Sequence, residues 1–143
     1  MRILIFHLDS LRSTITERGR SRVVEDLDPG SRTIEVGESL MVLASVEKGD
    51  EVKPEDVARK AVMEIPRVAG QLKVNTVVLH PFAHLFGELS EPDVAIRILR
   101  FTQEGLVKNG FRVFRTPFGW FNTLKLKAKG HPLSRVARII TPE

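Results

Sequence analysis

At 143 residues with 42% hydrophobic content, the chain reads as one soluble domain, large enough to bury a real core. It contains no cysteine, which removes disulfides, thiolate zinc sites and a cysteine nucleophile. Its net charge of +4 favours a polyanionic partner without requiring one.

The first element is RILIF, a strand by its apolar content. The opening stretch is broken by His7 and Asp9 and lacks a small-residue cleavage pattern, so it reads as a first strand and not a signal peptide. STIT and RVVEDLD are short, polar and β-branched, and Asp28–Gly30 (DPG) is a turn. RTIEVG alternates as a strand does. SLMVLASVEKGD is a continuous apolar run with a turn after it, and reads as a buried central strand. Its core, Leu40–Val46, is far too short to span a bilayer, so no membrane partner is expected, and the lack of cysteine suits a cytoplasmic protein.

From Pro54 the period changes. Val57, Ala58, Ala61, Val62, Ile65, Val68, Ala69 and Leu72 recur at helical spacing, with Pro54 in the first turn and Glu55 and Asp56 beside the positive end of the dipole. Pro66 should kink or break this helix. NTVVLH is a strand. SEPDVAIRILRFTQEGLVKNG is a second helix, started at Pro92, capped by Ser90 with Asp93, and ended at Gly110. FRVFRT and WFNTLKLKAKG are strands around the turn PFG, and HPLSRVARIITPE forms a last short element. The pattern predicts one α/β or α+β domain over residues 1–143, with a mixed β-sheet and two main helices.

Four constellations stand out. In HPFAH, His80 and His84 have the spacing of two ligands on one helical face. Pro81 forbids helical geometry at His80 and no carboxylate completes a zinc set, so no metal is assigned. The loop does lie beyond the carboxyl end of a strand, where α/β sheets bind ligands. There His84 either lines a pocket or satisfies a loop carbonyl. In LKLKAKG, alternation puts Lys125, Lys127 and Lys129 on one face, either a solvated edge or a phosphate-contacting stripe. In TPFGWFNT, Asn122 shares a face with Leu124 and Leu126, so it is an inward polar residue that needs partners or a cavity. Phe118, Trp120 and Phe121 are core, or a face for a nucleobase. The arginines Arg12, Arg18, Arg20, Arg22 and Arg32 are most simply solvated. There is neither a Gly-rich phosphate loop nor a G-x-S-x-G elbow.

The segments RILIFHLD, LASVEKGDE, HPFAHLFGELSEPDVAIRIL, GFRVFRTPFGWFNTLKLKAKGHPL and RIITPE together resemble the N-terminal editing domain of archaeal-type threonyl-tRNA synthetases. The likeness covers nearly the whole chain and is weakest at roughly residues 10–38. It implies a D-aminoacyl-tRNA deacylase-like fold that dimerises through its sheet. It also implies hydrolysis of seryl-tRNA(Thr), bound at the tRNA 3′ end with its seryl-adenosine moiety. Serine lacks one methyl of threonine, a difference worth only ~1–3 kcal/mol of discrimination, so a second site must remove the error. The resemblance carries substrate binding to Val46, Pro81, Phe82, Ala83, Ala95, Phe118, Gly119 and Phe121, and a ligand-positioning role to His84. It makes backbone groups the holders of the ligand, the terminal 2′-hydroxyl a helper of the attacking water, and a protein nucleophile unnecessary. No cofactor belongs to this domain. Zinc and ATP belong to the aminoacylation core, which these residues do not include.

Two positions depart from the family. Asn122 stands where a lysine is usual, and Arg135 where a glutamate is usual. The family lysine bears on catalysis, so a cation is expected from elsewhere: Arg135, Arg20 or Arg18, with Lys125 pointing the wrong way. Two other classes compete. A free-standing D-aminoacyl-tRNA deacylase would carry a Gly-Pro element and a Ser-Gln-Phe-Thr signature, and neither is present. A non-catalytic tRNA-binding module would be the outcome of a site decayed at Asn122 and Arg135.

Overall fold

A computed structural model of the chain describes every residue except 28, 29 and 31, so Asp28 and Pro29 of the expected turn lie outside the described residues. The elements are β1 (Arg2–Arg18), β2 (Thr33–Val36), β3 (Ser39–Ser45), a 3-10 turn (Lys48–Val52), α1 (Pro54–Leu72), β4 (Thr76–Pro81), α2 (Pro92–Lys108), β5 (Arg112–Arg115), β6 (Trp120–Ala128) and β7 (Arg135–Ile139). They form a mixed seven-stranded sheet with two helices, as the residue pattern predicts.

β1 is the axis of the sheet. RILIF and STIT, read as separate pieces, join into one strand of 17 residues. Along one edge it pairs antiparallel with β3 and then β2; along the other it pairs with β7 and then β6. A register shift between Leu8 and Ser10 changes its parity. Leu11, Ser13 and Ile15 therefore continue the face begun by Leu4, Phe6 and Leu8, and the strand stays apolar on that side past the break. The segment 22–27 makes no strand. Its backbone is instead engaged by the turn before β6.

β3, β4 and β5 run parallel, joined by α1 and α2. Both helices cover one face of the sheet. Val57, Ala61, Ile65 and Val68 of α1, with Ile98, Leu99 and Leu106 of α2, pack on Ile3, Ile5, Leu40, Val42, Val77 and Leu79. A smaller cluster of Leu8, Leu11, Val36, Met41, Leu43 and Val78 lies on the opposite face. The helices approach closely at Gly105, where an added Cβ would meet Val62 Cγ2 at 2.5 Å.

A break at Pro66 and a capping box at Ser90 are not observed. Pro66 does not break α1, which runs on to Leu72. Ile65, Val68 and Ala69 flank it in the buried stripe, and their packing outweighs the one backbone bond that proline forfeits. The α2 cap is Glu91, without a side-chain cap bond. The Ser90 hydroxyl donates to Glu91 O instead (3.0 Å), so no box forms with Asp93.

Candidate functional site

The parallel strands create the first wall of the site. β3 and β4 end in register at Ala44 and Pro81, and the Phe82 N–H extends the ladder by donating to Ala44 O (2.9 Å). Beyond these carboxyl ends the chain turns away through Ala83 and His84. The second wall is the turn from Thr116 to Phe121. It is tied to the sheet where the Thr116 N–H donates to Leu79 O (3.0 Å), and it reverses at Gly119, whose φ of +91° suits glycine.

Between these walls lie two adjoining cavities. One, of about 200 Å³, is mostly apolar and lined by Val46, Leu89, Ala95, Leu99 and Phe118 among others. The other, of about 390 Å³, is more polar and reaches His80, His84, Arg20, Thr116, Phe121 and Asn122. Ser21, Pro81, Phe82, Ala83 and Gly119 line both. All eight expected substrate-binding residues line one or both cavities, as do His84, Asn122 and Arg20.

The remaining basic candidates fall elsewhere. Arg135 pairs in register with Phe6, whereas Asn122 pairs with Ile15. That separation is about 30 Å of strand at the usual rise per residue. The cause is the preceding loop. His131 Nε2 lies 2.9 Å from His7 Nδ1, and the His7 N–H donates to Ser134 O (2.8 Å), so residues 131–134 are bound to the first half of β1. Within the chain, Arg135 therefore lies away from Asn122 and lines neither cavity. Arg18, opposite Trp120, is exposed and lines neither cavity. Lys125 stands beside Arg12 on the face opposite Asn122 and Leu124, and Lys127 is likewise on that outer face and exposed. Lys129 is ion-paired with Asp9. A stripe on the outer face can meet a phosphate backbone but cannot reach into the cavities.

The two histidines have separate fates. His80 is buried, and its Nδ1 lies 2.8 Å from the Thr116 hydroxyl. Burial pushes it down to about 4, so it stays neutral while lining the polar cavity. His84 is exposed at the rim, edge-on to the Phe82 ring at 5.6 Å. Asn122 finds its expected inward partner: its Nδ2 donates to Ser13 Oγ (2.7 Å). Among the described residues no three His, Cys, Asp or Glu side chains are placed to hold a metal ion. Among the described residues no helix is long and apolar enough to cross a membrane.

Backbone groups are unevenly committed. The Phe82 N–H goes to Ala44 O and the Phe118 N–H to Glu25 Oε1 (2.9 Å), whereas the amides of Ala83 and Gly119 have no partner among the described residues. Residue pattern alone missed the strap that makes the second of these bonds. Residues 19–25 lie along the PFGW turn: the Gly19 N–H donates to Gly119 O (2.8 Å), the Glu25 N–H to Phe118 O (3.0 Å), and the Trp120 indole N–H to Glu25 O (2.7 Å). Ser21 of this strap lines both cavities, and Arg22 is ion-paired with Glu91 at the start of α2. The strap's bonds join positions more than ninety residues apart, which no local pattern reveals.

Residues 1–140 match the family model of the archaea-specific editing domain of threonyl-tRNA synthetase. The chain is 42% identical to the threonine–tRNA ligases of Methanopyrus kandleri and Thermococcus kodakarensis, covering 100% of this chain in each case but 22% and 23% of those proteins. The ligase of Pyrococcus horikoshii gives 42% identity, with 100% of this chain and 23% of that protein covered. The chain thus spans under a quarter of the length of these relatives. By a match across almost its entire length, it belongs to the archaea-specific editing domain family of threonyl-tRNA synthetase.

Proposed function

We propose that this domain proofreads by hydrolysing the ester of seryl-tRNA(Thr), releasing serine and the tRNA. The observation that carries the reading is convergence. Residues from β3, β4, α2 and the turn before β6 meet around one bipartite cavity, as a seryl-adenosine end requires. The apolar part, between Phe82, Phe118, Val46 and Leu99, suits a purine face. The polar part, with Asn122, His80 and Arg20, suits the ribose and the seryl group.

In the proposed reaction, water adds to the ester carbonyl carbon, aided by the terminal 2′-hydroxyl of the RNA. The amides of Ala83 and Gly119 stabilise the developing oxyanion, the Phe82 and Phe118 amides being otherwise engaged. The carbon–oxygen bond to the ribose then breaks, and the ribose oxygen takes up a proton. His84 positions the ligand from the rim. Arg20 supplies the cation that the family places at Asn122, since it is the one expected cation that lines the polar cavity. The outer-face lysines 125 and 127 meet tRNA phosphates beyond the terminal nucleotide. A homodimer through the sheet is part of this reading, supported by Leu124 and Leu126, which are 42% and 37% exposed on the inner face of β6.

The decisive test compares deacylation of seryl-tRNA(Thr) and threonyl-tRNA(Thr). Faster release of serine is expected; equal rates on both, or none, would sink the reading. A non-catalytic module is the second reading, favoured by the neutral Asn122 side chain spent on Ser13. Titration with a non-hydrolysable seryl-adenosine analogue separates them, because the module would bind without turnover.

A further inference from the structure

The second wall of the cavity lies outside the strand ladder between its tie at Thr116 and the start of β6. PFGW is a turn built on a glycine at positive φ, outside any strand until Trp120. Besides its backbone bonds, one side chain from the distant strap holds its centre. Glu25 receives the Phe118 N–H on Oε1 (2.9 Å), and the same oxygen is ion-paired with Arg115. Its Oε2 lies 3.8 Å from Arg100 of α2, and its side chain is 9% exposed. Arg115 is in turn held by Gln103, its Nε donating to Oε1 (2.9 Å). One carboxylate thus ties α2, the end of β5 and the turn into a single fixture. Its backbone adds two more bonds, to Phe118 O and the Trp120 indole.

We infer that Glu25 is a positioning residue for the reaction: it fixes Phe118 and Gly119 so that the purine wall and the Gly119 amide keep their places. It touches neither cavity, so it acts only through the turn. The chemistry is that of a buried side-chain oxygen accepting a directional bond from a backbone amide, a hold that depends on the reach of the acceptor more than on its charge. This inference rests on the editing reading for its kinetic consequence, but its structural consequence stands apart from any substrate.

Three variants test it. Glu25→Gln keeps the acceptor for the Phe118 amide and discards the charge. Glu25→Asp keeps the charge for Arg115, and with it the buried pairing, but withdraws the carboxylate by one methylene from the amide. Glu25→Ala removes both. The sole tryptophan, Trp120, reports the turn without reference to activity. We expect Glu25→Asp to raise iodide quenching of Trp120 and shift its emission to the red, while Glu25→Gln stays like the parent and far-ultraviolet circular dichroism is unchanged in both. On seryl-tRNA(Thr), Glu25→Asp should lower kcat by about tenfold, a part of the roughly hundredfold that complete loss of an oxyanion donor costs, with Glu25→Gln within about threefold of the parent, a range expected for a surviving neutral bond. Glu25→Ala should match Glu25→Asp where it folds. If the parent itself fails to deacylate, the editing reading falls, and the tryptophan arm still decides the inference. An unchanged Trp120 in Glu25→Asp overturns it, as does a Glu25→Gln variant as slow as Glu25→Asp.

Discussion

The two walls of the cavity are made by different means. The HPFA wall ends a parallel strand, and its position follows from a ladder of backbone bonds that any sequence of suitable period would make. The PFGW wall is a turn fixed by one glutamate and a short strap from elsewhere in the chain. The first wall should therefore tolerate side-chain changes that leave the strand intact, whereas the second should fail at single positions.

The sharpest break is Gly119→Ala. Its φ is +91°, and a Cβ there would lie 2.4 Å from Val24 Cγ1 and 3.1 Å from Val24 Cα, so the strap must move. We expect a loss of about 3 kcal/mol in urea unfolding from strain and overpacking. Deacylation should fall about a hundredfold, the cost of a displaced catalytic wall. An Ala variant with parent stability and rate would show that the turn is not constrained as described.

On the first wall, the expected effect is on pH dependence. His80 sits at about 4 in the fold against 6.5 when unfolded. The unfolded chain thus binds the proton that the folded chain refuses. Stability is fully present above pH 6.5 and is lost as pH falls toward about 4, by up to about 3 kcal/mol. His80→Gln should flatten that part of a stability-against-pH curve. An equally steep curve in the variant would mean that the acid sensitivity lies in other groups.

Arg20 sits where the two walls meet the strap. Arg20→Ala should lower deacylation about tenfold, the value of one charge-assisted contact, with little change in melting temperature because the side chain is exposed. Arg135→Ala, assayed alongside, should change the single chain's catalysis little. The reverse order would point to a second copy placing Arg135 at the site. Smallest is Lys125→Ala with Lys127→Ala, expected to weaken tRNA binding a few-fold and reduce its salt dependence, with kcat on bound substrate unchanged. A changed kcat would contradict their placement on the outer face.

The same contrast explains what was legible beforehand. The helices, the parallel strands and the HPFA loop follow from local periodicity, and parity along β6 correctly separates Asn122 from Lys125. Pro66 misleads because a buried stripe overrides its local preference. Nothing near Glu25 in sequence marks it: RVVEDLD has no period, and its partners, Phe118 and Arg115, are fixed only by the fold. Family likeness names pocket residues that lie mostly outside regular elements, at Val46, Phe82, Ala83, Phe118 and Gly119, where periodicity is silent. It could not transfer the replacement cation, since the distance of Arg135 from the site depends on how the His7–His131 contact sets the last strand.

The long axis strand has a consequence in time. β1 pairs with residues 33–45 on one side and 120–139 on the other. On a ribosome it emerges ahead of every partner, and one of its edges stays open until the last strands follow. Such distant pairings make folding slow, because loop closure must precede the contacts that reward it. Until then an apolar, alternating strand with an unsatisfied edge is exposed. Asn122 reaches Ser13 only when that edge closes, so the polar half of the cavity is among the last parts of the domain to exist.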